Sequence, residues 1–400
     1  MSAPLPLEEA QARLLALAPL LPVERVDIPG SLGRFLAEPL RARRTQPAAH
    51  VSAMDGYAVV GPAFSGPWTV IGESAAGHPF DGVVLQGQAV RISTGALLPE
   101  GADAVIVQED VERIGDALSH TGTPPNPPGK HIRRCGSDFG IDTELLPAGA
   151  RIGPAQLALA ISAGHRHLAV RRAPRVTIID SGDELAADPE LCPAHQIPAS
   201  NGAMLAALLA NIPCSVTRIG PVADDLDLIV TALHQAHDAD IIVTTGGASV
   251  GDHDLIRPAI EAWGGSLDFW KVAIKPGKPL IVATRDRQVL LGLPGNPVSS
   301  HVTAFLFLLP LLRTSMGAQL PLPQGIRLPL SSPMKPGGDR REFLRGRLSG
   351  DGVEILTQQD SGALAAMAAA QVLIDRPARS PGGQPGDAVS VYFLENGGIA

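Results

Sequence analysis

The sequence predicts a multi-domain α/β protein, with a central α/β domain built on a mostly parallel sheet and carried between smaller β-rich segments. Three observations predict it. The chain has 400 residues, and at about 100–200 residues per domain that length asks for two to four domains. Between residues 175 and 309, apolar strand-like runs alternate with helical runs, the pattern of βα units. On either side, short alternating runs separated by Gly and Pro turns read as small β domains.

From Leu7 to Ala18, Leu7, Ala10, Leu14, Leu17 and Ala18 recur at helical spacing. Glu8 and Glu9 occupy the first turn, where the helix dipole favours acids, and Pro19 is the stop. VERVDI follows as a strand ended by Pro29-Gly30. WTVIGES, QAVRIS, DAVIVQEDVERI and ALSHTG are the short strands of a β domain. Pro154 to Ala163 is helical. RVTIID (175–180) reads as a buried strand, and Asn201 to Ala210 as a helix capped by Ser200 or Asn201. SVTRIG is a strand, Asp225 to His237 a helix, ADIIVTTGG a strand entering a glycine turn, and Asp254 to Trp263 a helix. LDFWKVAI, PLIVAT and QVLLGLPG are strands, and Pro297 to Leu309 is a helix. A Pro-rich hinge, LPLPQGIRLPLSSP, then opens a C-terminal β segment containing REFLRGRLSG, DGVEIL, QVLIDRP and AVSVYFL.

Lys and Arg number 32 against 40 Asp and Glu, a formal charge of -8. A protein that holds nucleic acid by neutralising phosphates should be basic, so that class is disfavoured. Cys135, Cys192 and Cys214 show no CxxC or Cys/His metal spacing, which argues against a disulfide framework and a structural zinc, and favours a reducing cytoplasm. The N-terminus places acids before its apolar part and lacks the basic start of a signal peptide. The most apolar stretch, Val298 to Leu312, is shorter than the roughly 20 residues a membrane span needs, so no membrane is expected.

Ligands of open α/β sheets bind beyond the C-terminal ends of the strands. Three strand ends here carry unusual turns: Ser181-Gly182-Asp183-Glu184, Gly246 to Asp252, and Pro294-Gly295-Asn296-Pro297. TTGGASVGD can turn backbone N–H groups toward an anion, or can be a plain tight turn. Gly247 to Gly251 also fits GxSxG, so a serine hydrolase with Ser249 and His301 stays open at this point. KVAIKPGKP gathers Lys271, Lys275 and Lys278 around a Pro-Gly turn. In an acidic chain that suggests a phosphate-bearing ligand, although such lysines are commonly a solvated run. Asp55, Asp183, Glu184, Asp224, Asp225, Asp252 and Asp254 cluster at turns. Beside a phosphate site they suggest Mg²⁺, and singly each reads equally well as a helix cap. SAMDGYAV reads as a functional turn or an Asp-Gly hairpin. Arg133 and Arg134 can clamp a phosphate or pair with acids such as Asp138. HExxH is absent.

Taken in order, SAMDGYAV, RISTGALLPEGADAVIVQED, GKHIRRCGSD, DSGDEL, TTGGASVGDHD, KVAIKPGKP and GLPGNPVS resemble the MoeA family of molybdopterin molybdenumtransferases, which includes the gephyrin E domain; the likeness runs from about residue 5 to 395. The resemblance implies a central MogA-like α/β molybdopterin-binding domain with an inserted β domain, a linker-like domain and a C-terminal β-barrel domain. The implied boundaries are 1–46 and 137–172 for a linker-like, L-shaped dimerisation domain, 47–136 for the inserted β domain, 173–320 for the α/β domain and 321–400 for the last. It implies a homodimer with the active cleft shared between subunits. It also implies a reaction in which adenylylated molybdopterin, molybdate and Mg²⁺ give molybdenum cofactor and AMP. A MogA-type adenylyltransferase and molybdoenzymes or their chaperones are the implied partners.

Carried onto this chain, the family's functional positions match Asp55, Thr94, Arg133, Asp138, Glu184, Asp224, Asp254, Lys271, Lys275, Pro294 and Pro297. The roles expected are phosphate or molybdate binding by Lys271 and Lys275, Mg²⁺ binding by Glu184 and Asp254, and a phosphate cradle from Gly246, Gly247 and Ser249. Lys278, Gly295 and Asn296 join the substrate site, Asp55 and Thr94 reach in from the partner subunit, and Arg340 and Arg341 extend the anion site. Departures from the pattern are Ala248, Arg257 in place of a lysine, Ser137 in place of an acid, and Asp180 where a small residue is usual. A binding scaffold without turnover and an ATP-dependent molybdopterin adenylyltransferase are the alternatives.

Overall fold

The computed structural model describes residues 3–61, 64, 66–246 and 255–394. The central sheet has six strands in the order Ser215–Val222, Arg175–Ser181, Ile241–Thr245, Gln288–Leu293, Ile281–Arg285, Ser266–Trp270. The first four are parallel, and the last two extend the sheet antiparallel. The three inner parallel strands are apolar on both faces because both are covered, whereas Ser215–Val222 is a partly exposed edge. Leu205, Leu209, Val298, Val302 and Phe305 pack on one side, and Ile229, Leu233, Ile256, Ile260 and Trp263 on the other.

The run LDFWKVAI is not one strand. Lys271 sits at φ +94°, and the chain turns there. Ser266–Trp270 stays in the central sheet, while Ile274–Lys275 pairs in parallel with Arg341–Ser349 of the C-terminal sheet. The helix expected to end at Leu309 continues to Ser315, through a wide π turn at Ala304–Leu308 just before Pro310. A proline lacks the N–H of the ordinary ladder, and a widened turn relieves its clash with the preceding carbonyl. Pro297–Ser315 is long and apolar enough to cross a membrane, but nearly all of it is buried in the protein.

The first β sheet runs Ala104–Val107, Gly56–Val59, Gln88–Ile92, Trp68–Ser74, Ala117–His120, Val111–Ile114. SAMDGYAV is therefore not a hairpin: Val51–Ser52 pairs with Ile132–Arg133, whereas Gly56–Val59 lies inside the sheet. Gly56 is required there, since a Cβ would lie 2.0 Å from the Ile106 carbonyl oxygen. Val23–Asp27 pairs with His167–Arg171, and Leu40–Arg41 with Glu144–Leu146, around a small core of Ile28, Leu36, Ile152 and Val170. The first helix, Leu7–Ala16, packs instead in the central core through Leu7, Ala10 and Leu14, and Gln11 Nε2 donates to the Leu306 carbonyl at 2.9 Å. The C-terminal sheet orders Ile274–Lys275, Arg341–Ser349, Val372–Arg376, Ala388–Phe393, Ile326–Pro329, with Gly352–Ile355 paired to Arg341–Ser349. A bridge from Leu330 to Val353 closes these strands into a ring.

Candidate active site

Because Arg175–Ser181, Ile241–Thr245 and Gln288–Leu293 are parallel neighbours, their C-terminal ends fall on one edge of the sheet. A cavity of about 460 Å³ opens there, lined among others by Asp180, Ser181, Glu184, Asn201, Thr245, Gly246, Gly295, Asn296 and Pro297. Gly246, at φ +97°, lets the chain turn tightly against the first strand: a Cβ would lie 2.2 Å from the Ser181 carbonyl oxygen. Asn201 does not cap its helix. Its Nδ2 donates to the Gly295 carbonyl at 2.6 Å, and Ser200 makes no side-chain cap either. The buried Ser181 Oγ and Asn201 Oδ1 have no hydrogen-bond partner among the described residues, so a polar ligand in the cavity would satisfy both.

Asp180, the unexpected acid, is 2% exposed. It accepts from Thr245 Oγ1 at 2.7 Å and lies 3.6 Å from the Arg218 guanidinium, so its charge is countered locally. Asp183 and Asp224 lock two loops reciprocally: the Asp183 N–H donates to Asp224 Oδ2 at 3.3 Å, and the Asp224 N–H to Asp183 Oδ1 at 3.0 Å. Asp225 is the helix cap, accepting from the Leu228 N–H at 3.0 Å. Glu184 is exposed in the cavity wall. Among the described residues no three His, Cys, Asp or Glu side chains gather as a metal cage. Gly247, Ser249 and Asp254 lie outside the described residues.

The three lysines have different described neighbours. Lys271 is buried, with its ammonium 3.8 Å from the Trp270 ring centroid, and the Arg257 guanidinium lies 4.8 Å from the same centroid. Lys275 lines a second cavity of about 490 Å³ with Lys335, Glu342, Gln359 and Arg376, which Lys271 and Lys278 do not line. Its Nζ is 3.2 Å from Glu342 Oε1, and Arg376 pairs with the other oxygen of the same carboxylate. Arg340 donates to the Ile274 carbonyl. Arg341 is held by Asp375 and Glu8, so its charge serves internal pairing rather than an open anion site.

Asp55 and Thr94 are brought together in the first β sheet's loops. The Thr94 N–H and Oγ1 both donate to Asp55 Oδ1, at 2.7 and 3.1 Å. These bonds, the N–H first, hold the Asp55 carboxyl below its ordinary range. Neither residue lines the strand-tip cavity. Arg133 and Asp138 are both exposed, and no ion pair joins them among the described residues. His301 is half-buried and its ring is pushed down to about 4 by desolvation, so it is neutral near pH 7. Pro297 starts its helix, and Asn296 Nδ2 donates to Ser361 Oγ of the C-terminal segment at 3.0 Å. Asn201, Glu342, Gln359 and Arg376 were not anticipated at these cavities. Asn201 carried only a helix-start signal, and the others meet their partners through tertiary pairing alone.

A parallel sheet whose tips form a polar cavity, joined to two β modules and a linker, defines a class of multi-domain α/β proteins with a candidate ligand site at the sheet edge. Comparison narrows the class. Residues 5–164 match the MoeA N-terminal region (domain I and II), residues 177–314 a probable molybdopterin binding domain, and residues 327–394 the MoeA C-terminal region (domain IV). The chain is 34% identical to a molybdopterin molybdenumtransferase of Haemophilus influenzae, over 86% of this chain and 85% of that one. It is 30% identical to one of Staphylococcus aureus, over 98% and 96%. The fold superposes on the molybdopterin biosynthesis moeA protein of Pyrococcus horikoshii with a TM-score of 0.83 at 27% identity, covering 97% of this chain and 99% of that one. The chain belongs to the MoeA family, the molybdopterin molybdenumtransferases of molybdenum cofactor biosynthesis.

Proposed function

We propose that this chain inserts molybdenum from molybdate into adenylylated molybdopterin, with cleavage of the pyrophosphate and release of AMP. The observation that carries the reading is the strand-tip cavity, with its glycine turn, its exposed Glu184 and its two buried unpartnered oxygens. The tagged pterin is assigned to this cavity, and the molybdate oxyanion to the Lys275 cavity. Catalysis is then mainly positioning, with electrostatic stabilisation of the phosphoryl group.

Mg²⁺ fits the donor set. It takes oxygen ligands, keeps several waters and is commonly held by one or two carboxylates plus substrate phosphates, so a three-acid cage is unnecessary. Glu184 and Asp254 would hold it, and it would neutralise charge on the phosphate oxygens. Glu184 belongs to a loop fixed by the Asp183–Asp224 bonds and by the Ile197 N–H, which donates to the Glu184 carbonyl at 2.7 Å. The proposed assembly is a homodimer in which Asp55 and Thr94 of one subunit complete the cleft of the other, since they stand outside the cavity of their own chain. We assign the protein to the cytoplasm, consistent with three unpaired cysteines.

The test is AMP release from adenylylated molybdopterin with molybdate and Mg²⁺. Glu184→Ala should fold and lose turnover with altered Mg²⁺ dependence. Binding without AMP release would instead support a scaffold, and direct consumption of ATP an adenylyltransferase.

A further inference from the structure

The two cavities share a wall. The irregular segment from Leu356 to Leu364 gives Leu356, Thr357 and Gln359 to the Lys275 cavity, and Gly362 and Leu364 to the strand-tip cavity. Arg345, inside the strand Arg341–Ser349, holds that segment from below. It is fully buried, and its Nη2 donates to the carbonyls of Gln358 and Asp360 at 3.0 Å each. Gln359 completes the clamp: its Oε1 accepts from the Arg345 N–H at 3.0 Å, and its Nε2 donates to the carbonyls of Arg345 and Leu356 at 2.9 and 2.7 Å. The far end of the segment docks on the strand-tip loop, where Ser361 Oγ accepts from Asn296.

A buried guanidinium is costly, and an apolar side chain of similar volume commonly stabilises a core at least as well. Here its acceptors are main-chain carbonyls of the wall, and its Nε and Nη1 are buried without a hydrogen-bond partner among the described residues. The arrangement favours geometry over stability. Misplacement by about 1 Å, even remote from the chemistry, can cost a large factor in rate.

We propose that Arg345 is a positioning residue for the transferase reaction: it pins Leu356–Leu364 as the common wall and so sets how the groups bound in the two cavities face each other. This rests on the proposed function, in which the oxyanion and the tagged pterin occupy those two places.

The experiment uses Arg345→Lys and Arg345→Met in the full chain, with Gln359→Glu loosening the same segment if the Met variant does not fold. Amide exchange reads the segment, and AMP release at varied molybdate reads the reaction. Exchange across 356–364 should quicken while that of the central sheet holds. kcat should fall roughly tenfold, with KM for molybdate within about threefold, because the groups bound in the two cavities no longer face each other. The Lys variant should fall between wild type and Met. Unchanged exchange, or a rise in KM at constant kcat, overturns the proposal. If the wild-type chain releases no AMP, it is the functional reading that fails. Arg345 is then judged by exchange alone, where wild-type protection across 356–364 in the variants overturns its positioning role.

Discussion

Replacing Gly246 by alanine should deform the floor of the strand-tip cavity. Its φ of +97° is one that L-residues avoid, at a cost of about 1–2 kcal/mol. Alanine recovers about 0.4–1 kcal/mol by restricting the unfolded chain. The new Cβ would stand 2.2 Å from the Ser181 carbonyl oxygen, a main-chain atom that cannot swing aside. Forcing the two strand ends apart adds about 1–3 kcal/mol, for a net loss of about 1–5 kcal/mol. Gly264 provides the control: its φ is +85°, but the nearest atom to its Cβ would be Arg285 Nε at 3.9 Å. Gly264→Ala should therefore cost only the conformational part, about 1 kcal/mol or less. Urea unfolding followed by tryptophan fluorescence suits both variants, since Trp263 and Trp270 sit in this region. Equal midpoint shifts in the two variants would show that the close approach to Ser181 is not a constraint, and the account of the cavity floor would fall.

The Asp55 carboxylate is stabilised by Thr94, so the stability it contributes is present above the ordinary carboxyl pKa and fades as pH falls through the depressed one. Thr94→Val removes the hydroxyl but keeps the N–H, so an NMR titration should move Asp55 upward only part of the way; an unmoved midpoint would remove the hydroxyl from the account. Asp225→Ala should lose about 1 kcal/mol of helix capping with turnover kept, whereas Asp224→Ala breaks the loop lock with Asp183 and should lose turnover; AMP assays and urea midpoints separate the two. Lys275→Ala should weaken oxyanion binding, with a deficit that shrinks as salt rises; calorimetry giving wild-type affinity would contradict the assignment.

The three strand tips were legible in the sequence because each parallel strand is a short apolar run ending in a glycine or proline turn, and the sheet edge then converges them. The Asp225 cap was legible for the same local reason. The break in LDFWKVAI was not: a lysine at positive φ carries no local signal, and the strand beyond it finds its partner nearly 70 residues on, at Arg341 and Glu342. Spacing grouped three lysines without their partners, which come from folding: Lys271 lies against Trp270 and Lys275 against Glu342. Asn201 announced a helix start and proved to be a brace for Gly295.

The excursion of Ile274–Lys275 out of one sheet and into another bears on how the chain can be dissected. A fragment ending near residue 320 would keep every strand of the middle layer, yet strip Ile274 and Lys275 of their main-chain partners at Arg341 and Glu342. One beginning after residue 16 would remove Leu5, whose N–H donates to the Lys271 carbonyl and whose own carbonyl receives the Ala273 N–H, at 3.1 and 2.8 Å. The lysine bend is thus sewn from three distant stretches of polypeptide, and expression of the central α/β piece in isolation should yield a fold whose lysine-bearing corner is unravelled.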